Sequence, residues 1–238
     1  MISIFKKEIR SFLSSLIAYV VIVVFLLIIG LFTWVFADGN VLVLGHANLD
    51  ILFFMAPWVF TFLISSITMR SFSEELKQGT FEILSTKPIT DVQIVLGKYF
   101  GAFLLIIMAL VPTLLYVYTV SKLGNPEGNL DVGSTLGSYF GLLFLVASYT
   151  AIGVFASSIT DNQIVAFIIA IFICFIFYFG FDGIASYNLL GSFDLESFGM
   201  SSHYKSMSRG VIDTRDLIYF ISVSAFFIAM TKLNIKKS

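Results

Sequence analysis

Six long apolar runs, about as long as a bilayer is thick, decide what this chain can become. They lie at approximately 16–36, 51–69, 99–120, 136–156, 164–181 and 217–233. A helix needs roughly 17–25 such residues to cross the hydrocarbon, and each run comes close to that length. Strands are excluded as an alternative, because open strands in lipid leave backbone groups without partners. Composition agrees: 58% of residues are hydrophobic and only 12% charged, against about 25% charged in an ordinary soluble domain. One water-soluble core cannot bury that much apolar surface. The expected fold is an all-α membrane protein, a single domain over 1–238.

The charged segments orient it. Residues 1–15 are expected to form an interfacial helix. Ile2, Phe5, Ile9, Phe12, Leu13 and Leu16 fall on one side, with Lys6, Lys7, Arg10 and Ser14 on the other. A signal-peptide flank is the competing reading, with Val35-Phe36-Ala37 as a weak cleavage site. The apolar run that follows exceeds the about 7–15 residues of a signal core. With both termini inside, ten basic residues are cytoplasmic: Lys6, Lys7, Arg10, Arg70, Lys77, Lys87, Lys98, Lys232, Lys236 and Lys237. Four then lie outside: Lys122, Lys205, Arg209 and Arg215. The positive-inside rule therefore predicts a multi-pass protein with cytoplasmic termini. The external loops lean acidic, through Asp38, Asp50, Glu127, Asp131, Asp194 and Glu196.

Residues 70–98, between spans 2 and 3, are the longest charged interruption in the first half of the chain. Apolar Leu76, Phe81, Ile83 and Leu84 mark the segment as more than a spacer, and Pro88 should break a helix near Lys87. Thr90 to Gln93 then reads as a capping box that restarts one. A docking element for a soluble partner and a plain charged loop both fit this pattern.

Glu74-Glu75, then Gly79-Thr80, Glu82, Leu84, Thr86 and Pro88, resemble the coupling signature of ABC-2 type transporter permeases, with Ser85 in place of a frequent second leucine. The turn from Ser157 to Gln163, with Ile164, Val165 and Ala166, resembles the second cytoplasmic loop of one branch of that family. That branch includes the gliding-motility permease subunit of Bacteroidetes-type bacteria and the copper-processing permease of nitrous oxide reductase maturation. Ser208 to Asp213, continuing through Arg215, Asp216 and Tyr219, is similar to the same branch, closest to the gliding-motility subunit.

The resemblance implies a non-catalytic permease subunit in a bacterial inner membrane. Two such subunits, as a homodimer or heterodimer, would surround a path through the lipid, and a separate ABC ATPase would bind ATP and Mg. Glu74, Glu75, Gly79, Thr80, Glu82 and Pro88 would form the ATPase-coupling interface. Thr160, Asp161, Asn162 and Gln163 would make a second cytoplasmic contact. A non-transporting anchor or assembly component of a motility or secretion machine is the alternative.

Other chemistry is poorly provided for. Gly97-Lys98 runs into Tyr99, with Val92 where a phosphate-binding loop needs its first glycine. His46 and His203 fall in expected external loops without metal-ligand spacing. No serine occupies a G-x-S-x-G elbow. No cofactor is expected on this chain, nor any nucleic-acid partner at a net charge of −1. Pro112 should kink the third span. Asp182 reads as a solvated helix end or an intramembrane carboxylate. Thr61, Ser65, Ser66, Thr68, Ser148 and Thr150 read as path-lining groups or as interhelical hydrogen bonds. The loop over 183–216, with apolar Phe193, Leu195, Phe198 and Met200, should lie on the membrane surface or fold partly back into it.

Overall fold

Capping residues divide the chain into helices where the apolar runs require it. The computed structural model describes residues 1–36, 40–85, 88–186 and 196–235. Ala37, Asp38, Thr86, Lys87, Phe193, Asp194, Leu195, Lys236 and Lys237 lie outside the described residues. In chain order the helices are α1 (Ile2–Ser14), α2 (Leu16–Trp34), α3 (Val41–Leu44), α4 (Asp50–Thr68), α5 (Ser73–Lys77), α6 (Thr80–Ser85) and α7 (Asp91–Leu110). Then follow α8 (Leu114–Leu123), α9 (Val132–Ile159), α10 (Gln163–Phe175), α11 (Phe181–Ser186), α12 (Met200–Ser208) and α13 (Thr214–Ile235). No strand occurs among the described residues, and six helical stretches are long and apolar enough to cross a membrane. The protein is an all-α membrane protein.

Ser15 starts α2 by accepting from the Ile17 amide at 3.3 Å, Asp131 starts α9 from Ser134 at 3.0 Å, and Asn162 starts α10 from Ile164 at 3.0 Å. The Thr90–Gln93 capping box forms as the sequence predicts. Pro112 sits in a short 3-10 turn, Val111–Thr113, between α7 and α8. Its ring cannot continue the α-helical ladder, and the third span breaks there.

The centre of the bundle is α9. Its 28 residues give a length of about 42 Å at 1.5 Å per residue, more than the roughly 30 Å of hydrocarbon. Packed against it are α4, α7, α10, α12 and α13. Glycines let backbones meet where hydrophobic association between helices is weak in lipid. A Cβ on Gly153 would fall 2.0 Å from Thr68 Oγ1 of α4, and one on Gly137 would fall 2.3 Å from the Met207 carbonyl of α12. Aromatic stacking closes the α2–α4 contact, with the rings of Phe25 and Phe60 4.6 Å apart.

The polar residues inside the spans bond within the fold. Thr61, Ser65 and Thr68 donate to carbonyls four residues back, as does Thr150. Ser148 reaches across to the Phe220 carbonyl and Ser224 of α13, both at 3.2 Å. All five are buried, so helix contacts account for them and a lined path does not. Between spans 5 and 6, α12 folds back onto α9 with Met200 and Met207 fully buried, while Phe198 stays exposed. Tyr204 of α12 donates to the Phe53 carbonyl of α4 at 3.0 Å. His203 lies in this helix, not in a free loop. It stacks on Tyr219 at 4.0 Å and bonds Asp216 Oδ1 at 2.6 Å and the Ser197 carbonyl at 2.8 Å.

Candidate coupling interface

At the end of the bundle that carries both termini, a second apolar core is assembled from six elements. Ile4 of α1, Phe81 of α6, Ile94 and Val95 of α7, Val154 of α9 and Ile235 of α13 close around Phe72, which precedes α5. The segment between spans 2 and 3 is therefore packed in, not suspended from the spans.

Beside this core lies a buried charge cluster. Lys98 on the first turns of α7 is 2% exposed. Its ammonium donates to Glu8 Oε1 at 3.2 Å and to the Ser71 carbonyl at 2.5 Å. It pairs with Glu75 Oε2 at 3.0 Å and stands 4.9 Å from the Phe72 ring centroid. Glu75 Oε1 in turn accepts from Lys7 at 2.9 Å. The buried Lys98 faces two largely buried carboxylates, and Lys7, itself mostly exposed, brings a second cation from the rim, which makes the burial tolerable. Burial raises the Glu75 pKa, but the Lys98 charge and the bonds from Lys7 and Lys98 outweigh it and hold the group below the ordinary range. Lys7 is held above its ordinary value. Burial opposes that shift, and the Glu75 bond and charge prevail.

Helix α1 can reach this cluster because α7 offers Gly97 and Gly101, one turn apart. A Cβ on Gly97 would lie 2.8 Å from Ile4 Cγ2, and one on Gly101 would lie 2.8 Å from Glu8 Cβ. The buried face of α1 is consequently Ile4 and Glu8. Ile2 and Leu13, expected together on one apolar face with Phe5 and Phe12, are exposed. Neither Glu8 nor the glycine pair stood out in the sequence. The signals were present: one acid among α1's basic residues, and G-x-x-x-G at the start of a span.

The expected interface residues separate into two groups. Glu75 points inward. Glu74 is half-buried and held by Arg70 through bonds of 3.0 and 3.4 Å. Gly79, Thr80, Glu82 and Pro88 are exposed, together with Lys77 and Gln78. Gly79 has φ +65° and nothing within 4 Å of its missing Cβ. Its place in the turn from α5 to α6 thus follows from backbone conformation, and its outer side is open. Of the second group, Asp161 and Asn162 are exposed and Thr160 and Gln163 half-buried. The two groups are neighbours, because α5 packs against α9 and α10. The end of α13 joins them through Asn234, which donates to the Ser158 carbonyl at 2.5 Å.

An exposed polar ridge, wired through buried charges to spans 2 and 3, is suited to receiving force from outside the lipid. A family model for ABC-2 family transporter proteins matches residues 2–230. The chain belongs to the ABC-2 transporter family. Members are membrane subunits that associate with an ABC ATPase and are not themselves catalytic. No curated protein matches the chain.

Proposed function

We propose that this permease couples ATP hydrolysis in a separate subunit to work in the bacterial inner membrane, with both termini and the α5–α6 ridge in the cytoplasm. The observation that carries the reading is the continuity from exposed ridge to buried cluster. Thr80 and Glu82 face outward, while Glu75, two turns of chain away, grips Lys7 of α1 and Lys98 of α7. A push on the ridge would move α1, α4 and α7 together. ATP and Mg would be held by the partner, and a second permease subunit would complete the complex. The patterns at Ser157–Gln163 and Ser208–Asp213 support a link to gliding motility.

The test is charge reversal on the ridge. Lys77→Glu combined with Asp161→Lys, both at exposed residues, should leave membrane levels and the unfolding temperature unchanged. Co-purification of the ATPase should fall about tenfold or more, because reversing partly buried interfacial charges costs on the order of 2–5 kcal/mol. Undiminished assembly and ATP turnover in the double variant would refute the coupling role.

A further inference from the structure

At the opposite end of the bundle, α4, the turn after α10 and α12 enclose a cleft of about 270 Å³. Asp50, Phe54 and Trp58 come from α4 at four-residue spacing, so they stack on one face over about 12 Å of helix. Both rings reach the surface, at 69% exposure for Phe54 and 38% for Trp58. The facing wall is a π turn, Ile176–Gly180, whose Phe179 ring lies 4.0 Å from Trp58. Asp182 stands at the rim. Its Oδ2 pairs with Lys205 Nζ of α12 at 3.0 Å, while its Oδ1 is buried without a hydrogen-bond partner. Asp50 is exposed and accepts from Asn48 at 2.8 Å.

The cleft is graded. Its charged groups sit where the apolar run of α4 begins, and its aromatic rings lie one and two turns deeper, an arrangement typical of the membrane interface. Two carboxylates and one ammonium would draw a simple cation but leave Lys205 with no counterpart in the ligand, and a simple anion would meet both carboxylates. A zwitterion satisfies both signs at once. We propose that this cleft holds the headgroup of a zwitterionic phospholipid. The ammonium lies against Asp50, Asp182 and the Trp58 face, the phosphate lies against Lys205, and an acyl chain runs down Phe54 and Trp58. The site is independent of the ATPase-coupling reading, since it lies at the other end of the molecule.

The chain has two tryptophans, Trp34 and Trp58, so Trp34→Phe leaves a single tryptophan, inside the cleft, that can be excited selectively over the tyrosines. This variant is placed in phosphatidylglycerol vesicles doped with brominated phosphatidylethanolamine, phosphatidylcholine, phosphatidylglycerol or diacylglycerol. The two zwitterionic lipids should quench Trp58 at about tenfold lower mole fraction than the other two, a difference of about 1.4 kcal/mol. Asp182→Asn should abolish the preference. Asp50→Asn, at an exposed residue, should reduce it without altering the unfolding temperature, and this keeps the test valid should Asp182→Asn fold poorly. Displacement of the quencher by soluble phosphoethanolamine would support the headgroup contacts directly. Equal quenching by all four lipids, or a preference unchanged in Asp50→Asn, would overturn the proposal.

Discussion

Lys98 is the residue on which the terminal end of the bundle depends. It is 2% exposed, and Glu8, Glu75 and the Ser71 carbonyl stand where water would surround its ammonium. Changing Lys98 to Met removes the cation, strands Glu8 at 10% exposure and leaves Glu75, at 15%, with Lys7 alone. Breaking a buried pair from one side costs about 3–5 kcal/mol. Lys98→Met should therefore destabilise the chain by that amount in detergent denaturation, and adding Glu8→Gln should recover part of the loss. An unchanged denaturation midpoint in Lys98→Met would show that the cluster is not a structural tie. The same geometry determines which charge changes can probe docking. Reversing Glu75 would set a third cation against Lys7 and Lys98 and disrupt the fold itself, so the exposed Lys77 and Asp161 are the cleaner probes.

Among the elements, α1 keeps Ile2 and Leu13 of its apolar stripe exposed, as a lipid-facing side would be, and buries Ile4 and Glu8. Its apolar spacing reads as a stripe for lipid, yet Glu8 is buried because Gly97 and Gly101 open a groove on α7. A valine at 101 would force its Cβ to within 2.8 Å of Glu8 Cβ and lift α1 away from Lys98. Overpacking of this kind costs typically about 1–3 kcal/mol. Gly101→Val should lower the unfolding temperature and, in the complex, depress coupled ATP turnover more than ATPase binding. If turnover and binding are both unaffected, α1 carries no signal. The spans, the Thr90–Gln93 cap and the break at Pro112 were legible because each rests on local chemistry: apolar length, a side chain three residues from its amide, a missing N–H. The charge cluster was not legible. It joins residues 8, 75 and 98, and only the packed helices bring those positions together. The return of α12 into the bundle was hidden likewise, because Gly137 and Gly141 reveal their purpose only once Met207 and Tyr204 lie over them.

For the whole molecule, two chemically different ends follow from one bundle. At one end, α1, the α5–α6 ridge, the α9–α10 turn and the close of α13 meet around a small apolar core. At the other, α12 is pinned through Tyr204 to α4, through Lys205 to Asp182 and through His203 to Asp216. From the ten-to-four distribution of basic residues we propose that the first end faces the cytoplasm. This assignment can be tested with little engineering, because the only cysteine, Cys174, is fully buried. Its place inside a span keeps it from aqueous reagents. Cysteines introduced at exposed Gln78 and Asp161 should be labelled by a membrane-impermeant maleimide only after the cells are opened. Cysteines at exposed Arg209 and Asp213 should be labelled in intact spheroplasts. The parent chain should stay unlabelled in both. Labelling of Gln78→Cys in intact spheroplasts would place the ridge on the wrong side of the membrane for an ATP-driven partner, and the proposed coupling would fall with it.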